Sequence, residues 1–262
     1  MIRIHLCLVA LIICSPLAAA GIREFDLRTL ERLGNQLSRQ DSLAAKASDL
    51  VFAKYPAFKK VSPQGWVTDS KNGSVYWIVE TKSGPSGAYK VIGNRVEDIH
   101  GKPLPPDIVT RFKARQNAMK AVLPKLNAAH GAKYNFEVLN DPDGSGFLVY
   151  ALAAFSKSDA IYFGGHFRIT VSADGAKAER IDDLSKGIMR NAVPADAKPV
   201  ALGSAQVVGT KYPVETTIYS SNLYKIPIGV GTPDGTIWMV ANGRIENTGQ
   251  KTGRAKKAGQ KK

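Results

Sequence analysis

Apolar and polar residues alternate along the middle of the chain, between residues 133 and 183. Two runs alternate, Lys133 to Leu139 and Ile161 to Ser172. Between them Phe147 to Phe155 is continuously apolar, and a charged fourth run, Lys177 to Asp182, follows the turn at 173–175. Apolar spacing with a period of two, interrupted by Asp and Gly clusters, is typical of antiparallel strands joined by hairpins. The pattern predicts an antiparallel sheet. The rest of the chain either packs against this sheet or repeats its arrangement of strands.

Helical spacing precedes this sheet, from Glu24 to Tyr55. Gly34-Asn35 predicts a break or a bend, and a second helical segment is predicted to be capped by Asp41 or Ser42. The first segment allows two interpretations, a packed helix and a loosely attached arm.

A basic helix is predicted just before the sheet. Asp107 is its predicted cap, after the proline-rich connection at 101–106, and apolar residues recur at helical spacing as far as Leu126. Basic residues occupy its other positions with no acid among them: Arg111, Lys113, Arg115, Lys120 and Lys125. Packed on the sheet, the helix makes a two-layer unit whose second sheet face is exposed or covered by a neighbour.

Strand patterns also flank the central unit. Residues 61–96 are typical of hairpins, with a strong strand from Ser74 to Lys82. Strands are also predicted in a third region: Ala205 to Val208, Val214 to Tyr219, Tyr224 to Val230 and Thr236 to Ala241. The predicted fold class is α+β, with antiparallel sheets each covered by a helix and a β-rich C-terminal region.

The N-terminus has the features of a secretory signal. A short basic start precedes an apolar run, Leu6 to Pro16, that is too short to span a bilayer, and Ala18 to Ala20 supply the small residues of a cleavage site. We expect cleavage near Gly21, no transmembrane segment after it, and a periplasmic or secreted protein. Lipid attachment at Cys14 is the alternative, although Ile13 is unusual before a lipidated cysteine.

Composition and targeting together suggest five regions. They are a signal peptide at 1–20, a helical arm with a first helix-plus-hairpin unit at 21–100, a central helix-on-sheet unit at 101–187, a β-rich unit at 188–248 and a disordered basic tail at 249–262. The net charge is +14, and the last twelve residues carry six lysines and arginines but no acid. Such a tail has too little apolar surface to fold alone.

Cysteine and motif content exclude several kinds of chemistry. Both cysteines, Cys7 and Cys14, lie in the predicted signal, so the mature chain is expected to have no disulfide and no thiolate metal site. Neither a nucleophile elbow, a zinc-protease helix, a phosphate loop nor a dinucleotide fingerprint occurs. We therefore predict no cofactor, no metal and no catalytic residues, and a non-enzyme is favoured over an enzyme.

The segment Asn140 to Gly146 is the nearest approach to a calcium loop. Asp141, Asp143 and Ser145 alternate oxygen ligands, but the EF-hand spacing then requires an acid where the chain has Leu152. A hairpin turn explains the same residues.

Gly164-Gly165 and the residues after it form the most unusual stretch. Two glycines inside a strand allow a bulge or the close approach of another backbone. Alternation places Tyr162, His166 and Arg168 on one face, where His166 is a candidate proton carrier or ligand and Arg168 a candidate anion clamp. A plain polar sheet face is the structural alternative.

Two other groups of residues are open to both interpretations. Arg111, Lys113, Arg115 and Lys120 are candidates for anion binding, although such runs usually form a solvated helix face. The three tryptophans, Trp66, Trp77 and Trp238, lie in predicted strands and form either a ligand platform or, more commonly for this residue type, part of the core.

A helix, strands and a terminal hairpin with Ala-Asp-Gly at 173–175 resemble the helix-on-sheet modules of exported Gram-negative proteins, broadly the PepSY or cystatin-like type. The resemblance covers residues 107–183 and extends to 41–98. PepSY-type modules are associated with inhibiting or regulating partner proteins, so the resemblance implies binding rather than chemistry.

Three functions are carried forward. The leading hypothesis is an exported, non-catalytic binding, inhibitory or accessory protein of the cell envelope with a protein partner. The second is binding of a polyanion, namely lipopolysaccharide, nucleic acid or anionic lipid, through the basic helix and the tail. The third is a hydrolase with a site near His166.

Overall fold

The computed structural model describes residues 21–56, 65–126, 133–155, 160–193, 199–206 and 208–252. These residues form an α+β fold dominated by antiparallel sheets, as the sequence predicted. The predicted signal peptide, its two cysteines, His130 and the basic tail beyond 252 lie outside the described residues.

Three α-helices are described: α1 Leu27–Lys54, α2 Pro106–Val122 and α3 Glu215–Tyr224. A 3-10 turn, Leu123–Lys125, follows α2. The strands are β1 Gly65–Thr68, β2 Val75–Thr81, β3 Gly84–Ile92, β4 Arg95–Asp98, β5 Lys133–Asn140, β6 Phe147–Ala154, β7 Ala160–Gly164, β8 Phe167–Val171, β9 Ala178–Asp183, β10 Ile188–Ala192, β11 Leu202–Ala205, β12 Ile228–Gly231, β13 Thr236–Ala241 and β14 Arg244–Lys251.

The central sheet has the order β5-β6-β8-β9 and is antiparallel throughout. One face packs on α2 through residues such as Val149 and Ile169, and the other packs on α1 and α3 through Leu148 and Leu152. Both faces are therefore covered, which explains why β6 reads as a continuous apolar run rather than an alternating one.

Helix α1 is continuous where the sequence predicted a break at Gly34-Asn35, and Asp41 and Ser42 lie inside it. A Cβ atom at Gly34 would lie 2.5 Å from the Cβ of Ile218, so the glycine admits the neighbouring helix α3 and does not end α1. Leu33 and Leu37 are fully buried, and the first half of α1 is therefore part of the core.

Helix α2 begins two residues earlier than predicted. Pro105 is the N-cap residue and Pro106 occupies the first turn, so Asp107 lies within that turn and is not the cap. Proline is favourable here because its missing N–H has no partner inside the helix.

The first sheet has the order β1-β2-β3-β4 and lies between two helices. Its residues Trp77 and Tyr89 pack with the second half of α1, and Tyr76 and Ile78 pack with the start of α2. Trp77 is fully buried, as Trp238 of the last sheet nearly is, so these two tryptophans belong to the core and not to an exposed ligand platform.

The third region differs most from its prediction. The predicted strand Val214 to Tyr219 is wrong, because Glu215–Tyr224 forms helix α3. The segment is rich in β-branched residues, but it is buried against α1 and β13, and such packing overrides local propensity. The last sheet has the order β11-β12-β13-β14, and β14 continues to Lys251, into the predicted tail.

No helix among the described residues combines the length and the apolar character needed to cross a membrane.

Candidate functional site

Gly164 and Gly165 divide the predicted run Ile161 to Ser172 into two strands. Both have positive φ, +92° and +75°, which glycine adopts readily. After the break, β8 joins the central sheet, whereas β7 pairs with β10 in a separate two-stranded sheet. A Cβ at Gly165 would lie 2.5 Å from Cγ1 of Ile188, so the glycine also allows β10 to approach closely.

This divergence opens a pocket of about 380 Å³ between the β7–β10 pair and the last sheet. Its walls are mainly apolar and include Phe163, Leu184, Ile188, Val208, Val214 and Val230. Polar groups come from Ser185, Lys186, Ser204, Gln206, Thr216 and Thr217. We call this cavity the His166 pocket, since His166 also lines it.

His166 is almost completely buried, with 5% of its surface exposed. Its Nδ1 accepts a hydrogen bond from the backbone N–H of Ala153 at 3.0 Å, and its ring meets Tyr219 edge-on with centroids 5.8 Å apart. Nε2 has no hydrogen-bond partner among the described residues. The proton of the neutral ring therefore lies on Nε2, as a donor without an acceptor.

Burial lowers the pKa of His166 to about 4, because the charged ring would lose its hydration. At neutral pH the ring is uncharged, and its lone pair on Nδ1 is already engaged. No carboxylate lines the His166 pocket among the described residues. The arrangement fits a fixed hydrogen-bond donor better than a general base.

Arg168 lies two residues further along and is also buried, at 1% exposed. Its guanidinium binds Asp182 Oδ2 at 2.7 Å and Glu215 Oε1 at 2.7 Å, and also donates to the backbone oxygen of Arg23. Burial alone would lower the pKa of Arg168, but these acids and Tyr150 raise it above its ordinary value.

The network extends beyond Arg168. The hydroxyl of Tyr150 donates to Glu215 Oε1 at 2.7 Å, and Arg180 Nε donates to Asp182 Oδ1 at 2.6 Å. Arg168 also faces the ring of Phe25 at 4.7 Å. These contacts neutralise the charge of Arg168. Its guanidinium therefore links α3, β8 and β9, and it is not exposed for binding an external anion.

The segment that resembles a calcium loop, Asn140 to Gly146, is a hairpin turn whose two aspartates pair with an arginine side chain. Arg23 donates to Asp141 Oδ2 at 2.7 Å and to Asp143 Oδ2 at 2.9 Å, and this contact raises the pKa of Arg23. No group of three potential metal ligands occurs among the described residues.

The other candidate residues lie apart from one another. Tyr162 is in β7, where its backbone N–H and C=O both contact the hydroxyl of Tyr224 at 3.1 Å. Arg111 is buried and donates to the backbone oxygen of Val138 at 3.1 Å, whereas Lys120 is exposed on α2. Arg115 is buried as well. The structure does not bring these residues and His166 into one site.

Sequence reasoning found His166 and Arg168 but missed their surroundings. Asp182 and Glu215 lie 14 and 47 residues from Arg168 along the chain. Glu215 was assigned to a strand, and no local motif signals its pairing. The glycine pair was the available signal for the pocket, because it marks where the two strands part.

Comparison of the chain with protein-family models, with curated proteins and with solved structures gave no match. The resemblance to the PepSY type therefore stays a prediction.

Proposed function

We propose that the protein is a non-catalytic binding protein of the cell envelope that holds a small ligand in the His166 pocket. The ligand is largely apolar and carries a hydrogen-bond acceptor for Nε2–H of His166. The envelope location follows from the expected signal peptide.

The observation that carries this proposal is the combination of an apolar cavity of about 380 Å³ with a buried, neutral histidine whose Nε2 has no partner among the described residues. Ligand pockets are typically apolar, with a few polar groups that fix orientation. An unmade buried hydrogen bond costs about 1–3 kcal/mol, which a bound acceptor recovers.

Binding has more support than catalysis because two of the polar side chains around the pocket, Ser185 and Gln206, already have hydrogen-bond partners. Ser185 accepts from Gly165 N–H at 2.6 Å and donates to the oxygen of Gly187 at 3.1 Å. Gln206 donates to the oxygen of Tyr212 and accepts from Val214 N–H. The Ser185 hydroxyl donates to a backbone oxygen and not to a base, so the hydrogen bonds of the described pocket residues do not show an activated nucleophile.

Polyanion binding through α2 has less support. Arg111 and Arg115 are buried, which leaves Lys113, Lys120 and Lys125 as the exposed cations among the five basic residues predicted for the helix, and Lys125 pairs with Asp183. A protein partner in the envelope remains a proposal to which no contact surface is assigned.

The test uses a matched pair of glycine variants and the fluorescent probe 1-anilinonaphthalene-8-sulfonate, which combines aromatic rings with a sulfonate acceptor. Gly187 lines the pocket and Gly203 does not, and a Cβ at either position meets no atom within 4 Å. Gly187→Leu should therefore fill the pocket and weaken probe binding by at least about tenfold, the loss of about 1.4 kcal/mol.

Gly203→Leu is the control and should bind the probe as the unsubstituted protein does. His166→Phe keeps an aromatic ring but removes the donor, and it should also weaken binding. Equal affinity of the Gly187→Leu and Gly203→Leu variants for the probe would overturn the proposal.

A further inference from the structure

The charged side chains around the His166 pocket are of one sign. Among the described residues that line it there is one cationic side chain, Lys186, and no acidic one. Lys186 is exposed and therefore lies at the edge of the cavity. A cavity whose charge has one sign attracts ligands of the opposite sign. The pocket thus favours a ligand that carries an anionic group.

The start of helix α3 forms part of the pocket wall, through Val214, Thr216 and Thr217. The first N–H groups of a helix have no acceptor inside it, and together they give this end a partial positive charge. Val214 is the N-cap residue, and no side-chain hydrogen bond caps the first turn. An anion bound at such a helix start gains both hydrogen bonds and a favourable dipole.

His166 adds a buried donor beside this helix. Its ring contacts Tyr219, which lies three residues beyond Thr216 and therefore on the same side of α3. The Nε2–H of the ring has no partner among the described residues. A helix start alone would not define a site, but a buried donor without an acceptor indicates a missing group. An acceptor bound to this N–H would lie close to the first turn of α3.

The acid in that first turn does not oppose an anion in the pocket. Glu215 is fully buried and is not among the residues that line the cavity. Its Oε1 accepts from Arg168 at 2.7 Å and from the Tyr150 hydroxyl at 2.7 Å. The charge of Glu215 is therefore matched by Arg168, away from the pocket.

We propose that the ligand in the His166 pocket is an aliphatic carboxylic acid of medium chain length, an identification that rests on the proposed function. Its carboxylate lies between His166 and the start of α3. One oxygen accepts from Nε2–H of His166, and the other faces the N–H groups of the first turn. An ionised carboxylate has acceptor sites on both oxygens, so it makes both contacts at once.

The number of charges favours a carboxylate over a phosphate. A helix start is equivalent to about half a positive charge. His166 in its neutral form adds a donor without adding charge. A phosphate monoester brings about −1.5 to −2 charges near neutral pH. The pocket matches a single negative charge better than two, because Lys186 is exposed and compensates little.

The chain of the acid occupies the apolar part of the cavity, whose walls include Phe163, Ile188 and Val230. A volume of about 380 Å³ lies near the lower end of the usual range for ligand pockets, about 300–1,000 Å³. A chain of medium length therefore fills it. Lys186 and Gly187 are exposed lining residues and mark the opening, towards which the end of the chain points.

The first experiment displaces 1-anilinonaphthalene-8-sulfonate from the protein near neutral pH with three ligands that have the same chain: octanoate, methyl octanoate and octylammonium. Octanoate should displace the probe at a concentration at least about tenfold lower than either of the others. The ester lacks the charge that the helix start favours, and the ammonium group would place a cation against donors.

A series of longer acids locates the carboxylate without any substitution. With the carboxylate inside, affinity should increase about fourfold for each added methylene and level off once the chain reaches the opening. With the carboxylate at Lys186 and the chain inside, acids longer than the pocket would bind more weakly. That result would overturn the proposal.

Two variants separate the same two orientations. His166→Phe should weaken octanoate binding by at least about tenfold, because a buried hydrogen bond to a charged group is lost. Lys186→Gln should weaken it by no more than about fivefold, as expected for an exposed charge. Lys71→Gln removes the same charge from an exposed residue that does not line the pocket, and it should bind octanoate as the unsubstituted protein does.

The outcomes distinguish this inference from the proposed function. Equal binding of the fluorescent probe by Gly187→Leu and Gly203→Leu would remove the pocket itself as the binding site. If those two variants differ as expected, either of two results would overturn only the identity of the ligand. They are displacement by methyl octanoate as effective as that by octanoate, and a larger loss of octanoate affinity in Lys186→Gln than in His166→Phe.

Discussion

At the scale of residues, the centre of the molecule depends on buried charge that is almost fully matched. Arg168 binds two carboxylates, and Glu215 also accepts from Tyr150. The sequence identified Arg168 as unusual but not its partners, because pairing across strands and helices leaves no local signal. A buried ion pair contributes little compared with an apolar core, yet removal of one partner is costly.

We predict that Arg168→Met destabilises the protein by about 3–5 kcal/mol, because Asp182 and Glu215 would remain buried with less compensation. The free energy of unfolding is measured by urea denaturation. Arg180→Met is the matched control, because Arg180 binds the same Asp182 but is one-third exposed. It should cost about 0–1 kcal/mol, as surface pairs do. Equal losses in the two variants would contradict this account of Arg168.

At the scale of elements, alternation was a dependable signal and β-branched content was not. The central strands were predicted because period-two spacing survives in β5 and β8 even though both faces are covered. Helix α3 was missed because Val214 to Tyr219 has strand propensity, and its helical state depends on contacts with α1. The predicted break at Gly34 was wrong for a related reason. In the sequence, a glycine that lets a neighbouring helix approach looks the same as a glycine that ends a helix.

Gly34→Ala tests this packing. A methyl group at residue 34 would lie 2.5 Å from Cβ of Ile218 and 2.6 Å from the backbone oxygen of Glu215, so α1 and α3 would have to separate. We expect a loss of about 1–3 kcal/mol from overpacking, despite the better helix propensity of alanine.

Gly144→Ala is the control, because its Cβ would make only ordinary contacts of 3.7 Å and more with Asp141. Its free energy of unfolding should change by less than about 0.5 kcal/mol. A Gly34→Ala variant as stable as the unsubstituted protein would show that α1 and α3 pack less tightly than the structure indicates.

At the scale of the whole molecule, α1 links units that the sequence separates. Its first half packs on α3 and the central sheet, and its second half packs on the first sheet. The His166 pocket arises where several elements meet, so it is not encoded in one motif. Sequence patterns predicted the fold class and pointed to His166 and Arg115.

The central claim, that His166 is a neutral donor in a binding pocket, is tested most directly by nitrogen-15 NMR of its imidazole ring. The ring should stay neutral, with its proton on Nε2, from pH 8 down to about 5, because burial holds the pKa of His166 near 4. Its Nε2–H resonance should move when 1-anilinonaphthalene-8-sulfonate binds, whereas the ring of the exposed His100 should not respond. A protonated His166 ring at pH 6, or an Nε2–H resonance that is unchanged at saturation with the probe, would contradict the account.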